Sequence, residues 1–272
     1  MALRGLVSYW ILPVISSVVW LGMLLGLLLY WVVDTNSEHY SYMDKGDNIA
    51  FISDIGAAKL KPLFIAGSAV TTVFLDLSFA AERLLRHNGR LVPNTTRKEK
   101  ILSILSILFA IIGTCGLILL SIFDTHHHHR AHDVFLLLFI AGYIISAIFI
   151  CAEYWVLGLY NRHHRILRIS FWVKITFVIV EFVLAIIFVA TNWSSNQNVA
   201  AVFEWIIAFI FTFYILSFVI DLLPAVRTKD HTMRFVKNLK HDLESSNSQD
   251  GNNSVQGEYQ NGHEEGVTRY NF

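Results

Sequence analysis

Two short segments hold the side chains whose types and spacing could do chemistry. Residues 121–133 read SIFDTHHHHRAHD, with Asp124, His128 and His132 at i, i+4 and i+8. On a helix these three share one face, and two imidazoles one turn apart can bind a transition metal. Four consecutive histidines, however, spread around any helix, and a solvated, pH-responsive loop is the simpler reading. No metal or other cofactor is assigned here. Residues 52–64 read ISDIGAAKLKPLF. They offer an acid (Asp54), a turn glycine (Gly56), a Lys-x-Lys pair (Lys59, Lys61) and Pro62. This composition predicts an ordered loop that enters a helix at Pro62, since proline suits a first helical turn, where its missing N–H has no partner to lose.

A second set of ionisable residues lies inside apolar runs, where charges are costly and usually face a bundle interior. These are Asp76, Glu153, Lys174, Glu181, Glu204 and Asp221. Lys174 and Glu181 are seven residues apart, hence on nearly one helix face and about 10 Å apart along its axis. The simpler reading pairs Lys174 with Asp76, Glu153 or Asp221. The sharper one is a polar cavity for a lipid headgroup, with Glu181 nearest the bilayer centre and no cation close to it in sequence. No nucleophile elbow, P-loop, Cys-x-x-Cys or HExxH is found, so nothing specifies catalysis.

The elements that must position these groups follow from composition. Of 272 residues, 54% are hydrophobic and only 15% charged, against about 25% charged in soluble domains. The excess gathers in six runs, at about 8–33, 62–82, 101–122, 134–155, 170–191 and 202–223, each near the length that crosses a bilayer. Without period-2 alternation they are helices rather than barrel strands. The chain is therefore an all-α, polytopic membrane protein. The first run exceeds a signal-peptide core and is read as a retained span. The expected domains are a six-span region over 1–225, a basic juxtamembrane segment over 226–244 and a disordered polar tail over 245–272.

Lys and Arg set the orientation. Fifteen lie on the side of the N-terminus and four, Lys45, Lys59, Lys61 and Arg130, on the other. The positive-inside rule then places both termini in the cytosol. Loops 34–61, 123–133 and 192–201 face outward, and Asn192-Trp193-Ser194 is a glycosylation candidate there; the Asn94 sequon faces inward. Cys115 and Cys151 sit in apolar runs as buried small hydrophobes. In the tail, Arg227, Lys229, Arg234, Lys237 and Lys240 surround a stripe of Phe235, Leu239 and Leu243. A short helix of this kind lies on an anionic inner leaflet and binds its lipid; a solvated basic flank is the alternative. Zero formal net charge gives no indication of nucleic acid.

The ISDIGA…LKPLF segment after span one and the SIFDT…H…HD segment after span three resemble the DRAM/Frag/Sfk family, six-span eukaryotic membrane proteins grouped with the N-terminal region of CWH-type cell-wall proteins. The resemblance covers roughly residues 5–225. Phe51 stands where the family motif has tyrosine, and the histidine run is longer than the motif requires. The resemblance implies different roles by branch. The fungal suppressor-of-four-kinase branch supports phosphatidylinositol 4-kinase at the plasma membrane and influences phospholipid asymmetry and sterol retention. The DRAM branch is lysosomal and promotes autophagy, and the Frag/CWH branch takes part in GPI-anchor lipid remodelling. The long basic tail, a possible dock for a cytosolic protein, suits the first branch.

Three functions compete. The leading one is a non-enzymatic membrane regulator or scaffold of lipid organisation, at the plasma membrane or, alternatively, an endomembrane, vacuole or lysosome. Its rival is a lipid-remodelling enzyme with Asp54, Asp124, His128 and His132 meeting at the outer face. A transporter built on Asp76, Lys174 and Glu181 ranks last, because the spans lack paired helix breaks. The orientation is directly testable. A protease added to sealed cells should leave a tag placed after Asp221 intact until the membrane is permeabilised; cleavage from outside would reverse the topology.

Overall fold

The computed structural model describes residues 9–43, 46–94, 96–160, 165–194 and 196–227. The basic residues Lys229, Arg234, Lys237 and Lys240, the Phe235/Leu239/Leu243 stripe and the 245–272 tail lie outside them, as does the side chain of Arg227.

Every regular element among the described residues is a helix. In chain order these are α1 (Ile11–Leu29, extended by a π-helical turn, Tyr30–Asp34), α2 (Ile52–Ala57), α3 (Lys61–His87), α4 (Arg97–Ile122), α5 (Thr125–Tyr160), α6 (Arg165–Trp193), α7 (Gln197–Leu222) and α8 (Pro224–Arg227). Six are long and apolar enough to cross a membrane, so the chain is a multi-pass membrane protein. In hydrocarbon the helix is the local solution that satisfies each backbone N–H and C=O. Sequence signals start several of them. Pro62 sits in the first turn of α3. Thr96 and Glu99 form a capping box at α4, with the Thr96 Oγ1 accepting from the Glu99 N–H at 3.3 Å and the Glu99 Oε2 from the Thr96 N–H at 3.1 Å.

The spans pack as a closed ring in the order α1, α3, α4, α5, α6, α7, with α7 returning to α1. The most extensive pairing is α4 with α5, and the least is α5 with α6. Small residues explain the former: a Cβ on Gly142 would lie 2.6 Å from the Gly113 nitrogen, and one on Gly116 2.5 Å from the Phe139 nitrogen, so the two backbones touch. Other seams use short hydroxyl or indole bonds to backbone. Ser16 donates to the Thr71 carbonyl at 2.7 Å, Trp20 to Ala208 at 2.8 Å and Ser146 to Ser106 at 2.7 Å. Ile101, Ile104, Leu108 and Ile111 line the outer, lipid-facing stripe of α4. Cys115 is exposed beside them rather than buried as expected, because its neighbours Thr114 and Gly116 take the inward face; Cys151 is buried.

The helices overrun the predicted apolar runs, and the loops shrink accordingly. The 123–133 loop is only Phe123 and Asp124, since α5 begins at Thr125. The 192–201 loop reduces to a few residues between α6 and α7, and Asn192 lies in the last turn of α6. Asn94 is buried and donates to Glu153 at 2.6 Å.

At the end of the ring away from α2, charge is gathered inside. Lys174 on α6 pairs with Asp221 on α7, and Ser170 donates to the same carboxylate. This selects Asp221 from the three expected partners; Asp76 instead accepts from Thr114 at 2.8 Å, and Glu153 takes Asn94. Glu82 and Arg86 on α3 pair at 2.6 Å, and Tyr154 on α5 donates to Glu82 at 2.6 Å. The Tyr154 ring faces both Arg86, at 5.0 Å, and Lys174, at 5.2 Å. Removing one member of a buried pair typically costs about 3–5 kcal/mol, because the other charge is stranded. Asp221→Asn should therefore lower thermal stability in detergent strongly, and Lys174→Met with Asp221→Leu should recover most of the loss. A double variant no better than the single one would show that the pair is not the source of that cost.

Candidate functional site: the α2 cap and the cavity beneath it

The 46–64 segment is built by local bonds. The loop predicted at 52–57 is the helix α2, and its Asp54 carboxylate accepts the Phe51 N–H at 3.1 Å across the first turn. Ile52 and Ile55 bury one face. Gly56 is helical rather than a turn glycine; a Cβ there would stand 2.6 Å from the Phe64 ring, so it is close packing that calls for glycine. Residues 46–52 are laced to the start of α7. The Asn198 Oδ1 accepts from Asn48 and Ile49 at 2.6 and 3.0 Å, Trp205 donates to the Ala50 carbonyl at 3.0 Å, and the Glu204 Oε2 accepts the Ile52 N–H at 2.7 Å.

The second motif docks on the first. Asp124 caps α5 by accepting the His127 N–H at 2.7 Å, and its other oxygen takes the Lys61 ammonium at 2.5 Å. Thr125 donates to Asp54 at 3.3 Å, and Tyr42 donates to the Asp54 carbonyl at 2.7 Å. Burial pushes the Asp54 carboxyl up to about 6, against the pull of the Phe51 N–H and the Thr125 hydroxyl. Burial acts the same way on Asp124, but there Lys61 and the two His127 N–H donors outweigh it and hold the group well below the usual carboxylate range.

The expected Asp124/His128/His132 face does not form. The chain kinks at His128, whose φ of −137° and ψ of 46° are non-helical, so the i+4 register is broken. His128 instead packs on the Phe123 ring at 5.4 Å, and the buried His132 bonds the Phe123 carbonyl through Nδ1 at 2.9 Å. The imidazole beside Asp124 is that of His127, with Nδ1 2.9 Å from Oδ1. Asp124, His126 and His127 bring one ligand atom each within 4.8 Å of one another. That geometry could hold a cation, but Lys61 already neutralises the carboxylate, and both histidines are exposed. Sequence reasoning missed His126, His127, Tyr42, Asn198 and the role of Lys61. Only the Asp-x-x-His spacing at a helix start carried a signal, that of an N-cap.

Beneath α2 the ring holds a partly open cavity; its empty space, counted together with the open space at its mouth, is about 940 Å³. Ile52 forms part of its roof and Trp20, Tyr143, Phe177 and Phe211 part of its walls. Two carboxyls, Glu181 and Glu204, also line it. Counting from the helix ends near α2, Glu204 is about 10 Å deep and Glu181 about 18 Å.

A family pattern matches the chain over residues 8–225, a stretch that takes in all six spans and both motif segments. The chain belongs to the Frag1/DRAM/Sfk1/Cwh43P N-terminal domain family. It is similar to Protein sfk1 of Schizosaccharomyces pombe, 29% identical over 214 residues that make up 79% of this chain and 63% of the relative. It is also similar to Protein SFK1 of Saccharomyces cerevisiae, 30% identical over 183 residues, 57% of this chain and 50% of that relative. The match thus spans between half and two thirds of these curated relatives. No solved structure matches the chain.

The Asp54 arrangement has a pH signature. With its folded-state value above the usual carboxylate range, the folded form binds the extra proton between about pH 4 and 6, so its contribution to stability falls as pH rises through that window. Asp54→Asn keeps one acceptor and should cost little, whereas Asp54→Ala should cost about 0.5–2 kcal/mol. Thermal stability in detergent should rise from pH 7 to pH 5 more for the native chain than for Asp54→Asn. Equal slopes would sink this account.

Proposed function

We propose that this protein is a non-enzymatic membrane regulator of lipid organisation that holds a lipid chain within its helical ring. The observation that carries the reading is the cavity, which is apolar-walled, lies at membrane depth and is roofed by the family motif through the Ile52–Glu204 bond. Ligand sites of this kind are concave and mostly apolar, with a few placed polar groups. The likeness to the two fungal proteins favours the suppressor-of-four-kinase branch. By that resemblance the protein works at the plasma membrane, in support of phosphatidylinositol 4-kinase and of phospholipid asymmetry, with both termini cytosolic and the 226–244 segment on anionic lipid.

The rival is a lipid-remodelling enzyme at the outer face. Against it, Asp54 and Asp124 are committed to helix starts and His132 to a backbone carbonyl. The decisive experiment fills the cavity. Ala147→Phe and Ala185→Phe, at two lining positions on the neighbouring helices α5 and α6, should reduce lipid co-purifying with the protein, as read by mass spectrometry. They should also raise surface exposure of aminophospholipid in cells. Folded variants with unchanged lipid content and unchanged asymmetry would overturn the proposal.

A further inference from the structure

The cavity has an uneven chemistry. Its wall is hydrocarbon and aromatic, and among the described residues its ionisable lining groups other than tyrosine are Glu181 and Glu204, with no Lys, Arg or His. Glu204 has the Ile52 N–H. For Glu181, the Oε1 is buried without a hydrogen-bond partner among the described residues. Elsewhere inside the spans, each acid meets at least one protein donor: Asp221 has Lys174 and Ser170, Glu82 has Arg86 and Tyr154, Glu153 has Asn94, and Asp76 has Thr114 on one oxygen although its Oδ1 is buried without a partner among the described residues. A carboxyl left without a donor in an apolar setting is costly, and aromatic walls favour a cation.

We infer that the cavity takes a long-chain amine: an amphiphile with a protonated amino head, held at Glu181 and Glu204, and a single hydrocarbon tail. This deepens, and rests on, the lipid-holding reading. A phosphate-bearing head fits poorly, since its anion would face two carboxyls and no lining cation. The tail has a way out: α5 and α6 form the least extensively packed seam of the ring, and both contribute to the cavity wall. The roof at α2 lies toward Glu204, so the head enters beneath the cap and the tail lies along the α5–α6 seam.

The test uses the full chain in lipid nanodiscs, with hexadecylamine, hexadecanol and palmitic acid as probes and thermal stabilisation as the readout. Hexadecylamine should stabilise the native protein most and palmitic acid least. Glu181→Gln, which keeps hydrogen-bonding capacity but loses the charge, should weaken the amine about tenfold, as expected when the ionised partner of a charge-assisted bond is removed. Glu181→Leu should abolish the preference for amine over alcohol. A folded Glu181→Gln protein that binds the amine as the native one does would overturn the inference, as would equal binding of amine and alcohol. So would no response to the amine at all. In each of these cases the lipid-holding reading is judged separately, on co-purified lipid and on the filled-cavity variants.

Discussion

The buried pairing of Lys174 with Asp221 ties the ring together at the end away from α2. Lys174 is only 1% exposed, in a position where hydrocarbon offers nothing to an ammonium, so the helix carrying it must face α7. Tyr154 extends the tie. Its hydroxyl reaches Glu82 on α3 while its ring faces both Arg86 and Lys174. Four spans are thus keyed to one another by groups that have no alternative partner in lipid. Apolar packing alone discriminates weakly among rotations of a helix in a bilayer, because lipid tails are as apolar as the neighbouring side chains. Charge supplies the register, and the closed order of the ring follows.

The opposite end is organised differently. There the ring is held by a short helix and its capping bonds, many of them to backbone groups of residues 46–57 and 124–127. Each such bond contributes modestly on its own. The two ends are thus held by different chemistry, paired charges at one and capping bonds to backbone at the other.

Much of the architecture was legible in the sequence, and the reason is physical. A bilayer imposes length and hydropathy on each span regardless of its neighbours, so the six runs stand out one at a time. What needed three dimensions was anything set by the ring order. Asp221 was one of three acids within reach of Lys174 on paper; the ring order sets α6 beside both α7 and α5, and Glu153 on α5 is taken by Asn94. The Glu204 bond to Ile52 joins residues 152 positions apart. The six-residue α2 is too short for periodicity to reveal. His127 meets Asp124 through the N-cap spacing, while the departure from helical geometry at His128 that breaks the expected i, i+4 face is a local event no spacing rule anticipates.

These contrasts bear on Glu181. If intramembrane carboxyls here served only to lock helices, each would be expected to end on a donor from another span or a flanking loop, as Glu82, Glu153 and Asp221 do and as one oxygen of Asp76 does. Glu181 shares a helix with Lys174, two turns away and on nearly the same face, yet Lys174 is committed to Asp221. The same helix thus carries one ionisable group locked into the protein and another turned into a cavity to which the described residues supply no cation. A purely structural bundle would gain by replacing Glu181 with leucine, since an apolar side chain there would fill space without a desolvation cost. The carboxyl therefore makes physical sense as part of a site whose remaining half arrives from the membrane.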